Sequence, residues 1–230
     1  MIKVENTEVW GFKHAIRGMR NPMNSWSKSD SYDAVDCKKC GLIEEKGVCK
    51  KEDRIGRCYN FEYYYVGNKD LELMNKLFKA GPEHRKYLRQ IFVSMDVTAP
   101  LYWWKEFDTY KVGTVSNSCS TMHKIEAKEF EVDDFSYEHL FSLGTLRMVI
   151  NDLNENRKKY IERQDKDYWW QIIQLLPSSY NQRRTITMNY ENVFTIICQR
   201  SGHKLDEWNQ FVDILKKLPY IEEIGKLNNS

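Results

Sequence analysis

Three sets of residues in this 230-residue chain are of types and spacing that suit chemistry. The first is a run of small hydroxyl and amide side chains: Ser116, Asn117, Ser118, Ser120 and Thr121. It follows an aromatic segment that starts Thr98-Ala99-Pro100-Leu101-Tyr102-Trp103-Trp104. Packing does not call for such a run. Short hydrogen-bonding arms and free backbone N–H groups suit the holding of a polar ligand, so Thr98 to His123 reads as a ligand loop. The second set is Arg17, Arg20, Arg183, Arg184 and Arg200. Guanidinium groups grip phosphate bidentately, and several can converge from different elements. The competing reading is surface solvation, with Arg200 complementing a helix dipole. The third set is Cys37-x-x-Cys40 followed by Cys49 and Cys58. Two residues between thiolates let both reach one tetrahedral zinc, and four thiolates would close a structural site. The alternative is an insertion with unliganded thiols.

Other residues carry weaker signals. Cys119 and Cys198 read as ordinary buried thiols rather than nucleophiles, because no paired base can be identified. His123 and His203 flank polar stretches without metal-ligand spacing, so each reads as structural. The pairs Trp103-Trp104 and Trp169-Trp170 most simply give one ring each to a core, with base or flavin stacking as the other reading.

Periodicity supplies the elements that must position these groups. Asn6 or Thr7 is placed to cap a helix carrying Val9, Phe12, Ile16 and Met19, stopped by Asn21-Pro22. Residues 21–66 are rich in Ser, Asp, Lys, Gly and Cys with little periodicity, and read as a long loop or insertion that something must hold. Leu71, Met74, Leu77 and Phe78 form a helical stripe, ended by Gly81. Pro82 to Arg89 reads as a short helix, and Ile91 to Val97 as a strand. A helix starts at Pro100. Asp133-Asp134 caps a short element. Helices are expected from Leu143 to Arg163, from Asp165 to Leu176, from Tyr190 to Arg200 and from Leu205 to Lys217. Asn181 to Asn189 alternates as a strand. Two strands among many helices give an α/β (α+β) class. The expected organisation is a single α/β domain from 1–20 and 67–230 with the cysteine-containing insertion at 21–66.

Composition narrows the function classes. The chain is 41 % hydrophobic, 13 % aromatic and 30 % charged, enough for a sizeable core. Its 35 basic and 33 acidic residues leave a net charge of +2, with no electrostatic footprint for a nucleic-acid polymer. The N-terminus lacks the basic-then-apolar order of a secretory signal, and no apolar run is long enough to span a bilayer. These features point to the cytoplasm, where six cysteines are thiols or metal ligands rather than disulfides.

Three regions together resemble the flavin-dependent thymidylate synthases (ThyX-like proteins). Ala99-Pro100-Leu101-Tyr102 is similar to that family's Ala-Pro-Ile-Phe before a helix. The family's Arg-His-Arg and Ser-x-Asn-Glu-x-Ser-x-Arg-Tyr follow, where this chain has Thr109-Tyr110-Lys111 and then Ser116-Asn117-Ser118-x-Ser120-x-Met122-His123. Leu176-Pro177-Ser178-Ser179-Tyr180 and a strand ending in Asn189 resemble the family's Leu-Pro-x-x-x-Tyr-Thr strand and its Asn. Arg200 with His203-Lys204-Leu205-Asp206-Glu207-Trp208 resembles its Leu-Arg and His-Ala-Gln-x-Glu-Ile-Arg segments.

The resemblance implies a mixed sheet with surrounding helices in a homotetramer. It implies FAD, NADPH and methylene-tetrahydrofolate as reactants that methylate the pyrimidine nucleotide dUMP. It places Lys111, Ser116, Asn117, Ser120, Arg183 and Arg200 at the nucleotide, and Asn189 and Arg17 at the flavin. The family's arginines and histidine are replaced by Thr109 and Tyr110, leaving Lys111 basic. Two functions therefore compete on one scaffold: flavin-dependent methylation or another C5 modification of dUMP, and non-catalytic or regulatory binding. In the second, a zinc-stabilised insertion would contact a partner.

Overall fold

A computed structural model describes residues 2–35 and 62–225. Six strands and eight helices are assigned among them: β1 (Lys3–Trp10), α1 (Phe12–Arg20), β2 (Tyr32–Val35), β3 (Glu62–Tyr65), α2 (Asn68–Lys79), β4 (Phe92–Pro100), α3 (Leu101–Phe107), β5 (Thr114–Ser118), α4 (Gly144–Arg163), α5 (Lys166–Leu175), β6 (Asn181–Asn189), α6 (Tyr190–Arg200), α7 (Asp206–Lys216) and α8 (Ile221–Gly225). The fold is mixed α/β, as the sequence indicates. The chain forms two compact units, one of Met1–Val9 and Val93–Leu218, the other of Trp10–Phe92 and Pro219–Ser230. The described part of the 21–66 stretch is not set apart: it groups with α1, α2 and α8 in the second unit. Cys37, Cys40, Cys49 and Cys58, and with them the expected zinc site, lie outside the described residues.

The first unit is built on a four-stranded sheet in the order β1-β4-β6-β5. β5 runs antiparallel to β6, with Ser116 opposite Ile186 and Asn117 opposite Thr185. Along β4, Val93, Met95 and Val97 are buried while Ser94, Asp96 and Thr98 are partly open, the period-2 pattern of a sheet with one covered face. β6 continues this, with Ile186 and Met188 buried and Thr185 exposed. Two features of this sheet differ from the sequence expectation. Residues 3–10 form a strand, not a helical lead-in. Gly11, at φ +101°, ends it and opens α1; a Cβ there would meet the Gln90 carbonyl oxygen at 2.1 Å. Residues 114–118 form an edge strand rather than a loop, because pairing with β6 supplies the backbone hydrogen bonds that Ser and Asn do not secure by propensity.

The core of this unit is aromatic. Trp103, Trp104 and Phe107 of α3 are buried with Trp208 and Phe211 of α7. Trp103 lies 4.7 Å from Trp208 and 5.2 Å from both Phe107 and Phe211, between ring centres. The Trp104 indole donates to the Gln182 carbonyl at 2.9 Å, which ties α3 to β6. A satellite core of Phe130, Phe135, Leu146, Ile150, Leu153 and Ile172 lies under the α4–α5 hairpin. That hairpin matches the sequence reading, with Asp165 accepting from the Asp167 N–H as the cap of α5.

The second unit is held by a buried ion pair. Arg20 and Asp70 are 5 % and 0 % exposed and meet at 2.6 Å. Asp70 also accepts from the hydroxyls of Ser29 and Ser31, each at 2.6 Å, and from the Asp30 N–H. Burial alone would raise the Asp70 carboxyl. The hydrogen bonds from Ser29, Ser31 and Arg20 outweigh it and hold the group below its ordinary value. Arg20, one of the five arginines singled out in the sequence, is therefore a structural cation.

Two stability measurements test these anchors. Asp70→Ala strands a buried guanidinium and should cost about 3–5 kcal/mol in urea unfolding; a loss below about 1 kcal/mol would remove the pair as an anchor. Because the folded carboxyl titrates low, its contribution is complete above the unfolded value of about 4 and disappears as pH falls through the folded value. Asp70→Asn should remove that component of acid unfolding. Trp103 differs from Trp104 in that its buried indole N–H has no partner among the described residues. Trp104→Phe should therefore destabilise by about 1–3 kcal/mol more than Trp103→Phe, since only the former orphans a carbonyl. A larger loss for Trp103→Phe would contradict this.

Candidate functional site

The candidate site lies in the first unit, where α3 ends and the chain turns into β5. Phe107, Asp108, Tyr110, Lys111, Thr114 and Ser116 line a hollow of about 240 Å³. α3 forms because Pro100 opens it and its aromatic residues bury one side. Gly113, at φ +74°, lets the backbone reverse into β5; a Cβ there would meet the Asn189 amide nitrogen at 2.5 Å. The reversal puts the hydroxyl-bearing Ser116 into the same hollow as Lys111. Lys111 is exposed, and its ammonium has no hydrogen-bond or ion-pair partner among the described residues.

The neighbouring charges are paired. Arg184 reaches Asp108 at 2.7 Å and donates to the Gln182 side chain at 2.9 Å, with its guanidinium 4.3 Å above the Trp104 ring. Thr114 accepts from Asn192 at 2.9 Å. Arg200, at the end of α6, bonds Glu106 at 2.7 Å and donates to the Tyr110 hydroxyl at 2.8 Å, which in turn donates to Gln199 at 3.0 Å. A cation left free beside aromatic rings and hydroxyls is an arrangement that accepts an anion and stacks a planar group.

The sequence-predicted residues divide between several places. Lys111 and Ser116 share the hollow, and Arg200 stands behind Tyr110. Asn117, one residue from Ser116 on β5, points to the opposite face of the sheet, where its partner is Thr185. Arg183 is on that face too, bonded to Asp96 at 2.7 Å with Glu5 at 3.8 Å. Asp96 also accepts from Thr185 at 2.5 Å and Asn6 at 2.8 Å. Hydrogen bonds from Thr185, Arg183 and Asn6 hold its carboxyl well below the usual carboxylate range.

Ser120 lies in the turn after β5. Its hydroxyl oxygen accepts from the Met122 and His123 N–H groups and lies 2.9 Å from His123 Nδ1. Asn189 caps α6 through the Asn192 N–H at 3.0 Å. Arg17 is exposed on α1, in the second unit. Cys119 and Cys198, expected as buried thiols, are both exposed. The four cysteines of the expected metal site are outside the described residues, and among those residues no group of three or more His, Cys, Asp or Glu side chains is placed to hold a metal.

Glu106, Asp96 and Asp108 pair with these arginines without a spacing in the sequence that marks them. The available signal is Glu106 itself, the one carboxylate in the aromatic-rich helix Leu101–Phe107.

No protein-family model matches the chain, and no curated protein matches it. Solved structures do. The chain is similar to thymidylate synthase X from Helicobacter pylori, in a crystal structure with FAD and dUMP. The TM-score is 0.63 at 15 % identity, over 97 % of this chain and 96 % of that one. A second structure of the flavin-dependent thymidylate synthase ThyX from the same organism, complexed with FAD and dUMP, gives 0.61 at 16 % identity over 96 % of each chain. The fold is that of thymidylate synthase X, and it extends over nearly the whole chain.

Proposed function

We propose that this chain is a nucleotide-binding protein on the thymidylate synthase X fold, and that its ligand is a pyrimidine mononucleotide such as dUMP. The observation that carries the reading is the unpaired Lys111 ammonium in a hollow that also offers Phe107, Tyr110 and the Ser116 hydroxyl. Lys111 would take the phosphate as a point charge, Ser116 would donate to it, and the partly open Tyr110 ring would face the base. Both similar structures hold dUMP, which supports the ligand class.

The hollow is smaller than the roughly 300–1,000 Å³ of sites that enclose a drug-sized ligand. On its own it fits one end of a mononucleotide and not FAD. A second reading, binding without flavin chemistry, is favoured by the commitment of Arg183 to Asp96, Arg184 to Asp108 and Arg200 to Glu106. Guanidinium groups already paired with carboxylates do not reach for a pyrophosphate without breaking those pairs. Methylation of dUMP with FAD, NADPH and methylene-tetrahydrofolate, in a homotetramer, is the reading that the fold resemblance alone supports.

Calorimetry with dUMP should show binding that weakens with added salt. Lys111→Ala should weaken it by roughly ten- to a hundredfold, the value of about 1.5–3 kcal/mol for a hydrogen bond to a charged group. An unchanged affinity would move the site elsewhere, and no binding by the wild-type protein would sink the nucleotide reading. The flavin step has a separate test. A purified protein without flavin absorbance that also takes up no added FAD, and does not rescue a thymidine auxotroph, would leave binding as the function.

A further inference from the structure

The two edges of the four-stranded sheet are finished differently. β1, at one edge, carries Lys3, Glu5 and Glu8, and its Asn6 sits at φ +50°, a left-handed break within the strand. Charges and local breaks of this kind keep a sheet edge from pairing with another chain. β5, at the other edge, reads Thr114-Val115-Ser116-Asn117-Ser118 and has neither. No charged side chain occurs from Val112 to Met122, and Val112 and Val115 are 88 % and 66 % exposed.

The register fixes which backbone groups of β5 are open. The Cys119 N–H donates to the Arg183 carbonyl at 2.9 Å, so these two residues form a hydrogen-bonded pair of the antiparallel ladder. Such pairs alternate with pairs whose N–H and C=O groups point away from each other. Counting back along the register, Asn117 with Thr185 and Val115 with Thr187 are also bonded pairs. Thr114, Ser116 and Ser118 therefore turn their N–H and C=O groups outward. Among the described residues no strand lies beyond them, and no partner bonds those groups.

This edge is self-complementary. A second β5 laid antiparallel along it, about a two-fold axis at Ser116, sets Ser116 opposite Ser116 of the partner subunit. Thr114 then faces Ser118 of the partner subunit, and Ser118 faces Thr114 of the partner subunit. Every outward residue of the strand is matched, whereas sliding by one bonded step leaves one unmatched. Two-fold pairing opposes the central side chain to its own copy, so a charge there would meet a like charge. The neutral run from Val112 to Met122 avoids that penalty, and it offers an acidic or basic foreign strand no counter-charge.

We propose that β5 is a dimerisation edge, through which two copies of this chain join their sheets into one. Thr114 and Ser116 also line the hollow, so the test is made without nucleotide and stands apart from the nucleotide reading.

Light scattering on the full chain should find the wild type as a dimer or a multiple of it. Ser116→Lys and Ser116→Glu should each weaken association at least about tenfold, because each sets like charges face to face. Mixing the two variants should restore it as a heterodimer. A monomeric wild type, single variants that keep the wild-type mass, or a mixture that stays dissociated would overturn the proposal. If neither variant folds, amide hydrogen exchange of the wild type decides. The Ser116 and Ser118 amides should be protected in the associated protein and lose that protection on dilution, while the Val115 and Asn117 amides keep theirs. Unprotected Ser116 and Ser118 amides in the associated protein would refute pairing through β5.

Discussion

The stacking of α3 against α7 is the constraint on which the first unit depends. Trp103 and Phe107 sit among Trp208 and Phe211, and the Trp104 indole fastens the same helix to the Gln182 carbonyl of β6. That helix and the turn after it deliver Glu106, Asp108, Tyr110 and Lys111 to this end of the sheet, where Ser116 of β5, Arg184 of β6 and Arg200 of α6 meet them. A side chain on a short helix is only as well placed as the helix axis, and here buried rings fix the axis from two sides. The aromatic richness of the 98–110 stretch is thus a positioning device, and the indoles serve it by packing and by one hydrogen bond rather than by stacking on a ligand.

The unit's charges show how few cations are left for a ligand. Arg183, Arg184 and Arg200 each end on a carboxylate. Exposed ion pairs add little stability individually. Their larger effect is to set side-chain direction: Arg184 is laid over Trp104, Arg200 over Trp208, and Arg183 is kept on the polar side of the sheet. Lys111 escapes this pairing: it lies beyond the end of α3, in the connection to β5, and no carboxylate among the described residues meets it.

Much of the architecture was legible in the sequence. The 3.6-residue period located α4, α6 and α7, and the alternation of Thr185 and Thr187 with Ile186 and Met188 located β6. β1 and β5 were not legible, because each depends on a partner distant in the chain. Residues 3–10 mix polar and apolar side chains without a clean period, and 114–118 are mostly hydroxyl and amide residues that favour turns in isolation. Sheet pairing overrides both preferences. The same cause limited the reading of the site. A search for arginines finds candidate phosphate ligands, but whether each is free is decided by carboxylates such as Asp96 and Glu106, one of them 87 residues away from its arginine. No local pattern records that pairing.

The two compact units interleave along the chain: the first takes 1–9 and 93–218, the second 10–92 and 219–230. This order bears on biogenesis. In vectorial synthesis α1 and α2 emerge early, but α8, which packs with α2, is made after the whole of the first unit. Asn75 of α2 waits likewise for the Glu223 carbonyl, and the Val66 N–H for the Tyr220 hydroxyl. Neither unit can be completed, or excised as one continuous fragment, without chain from the far side of the other. The half-made protein carries its early helices unfinished until the last of its described segments leaves the ribosome, an exposure that the short contacts within each helix do not remove.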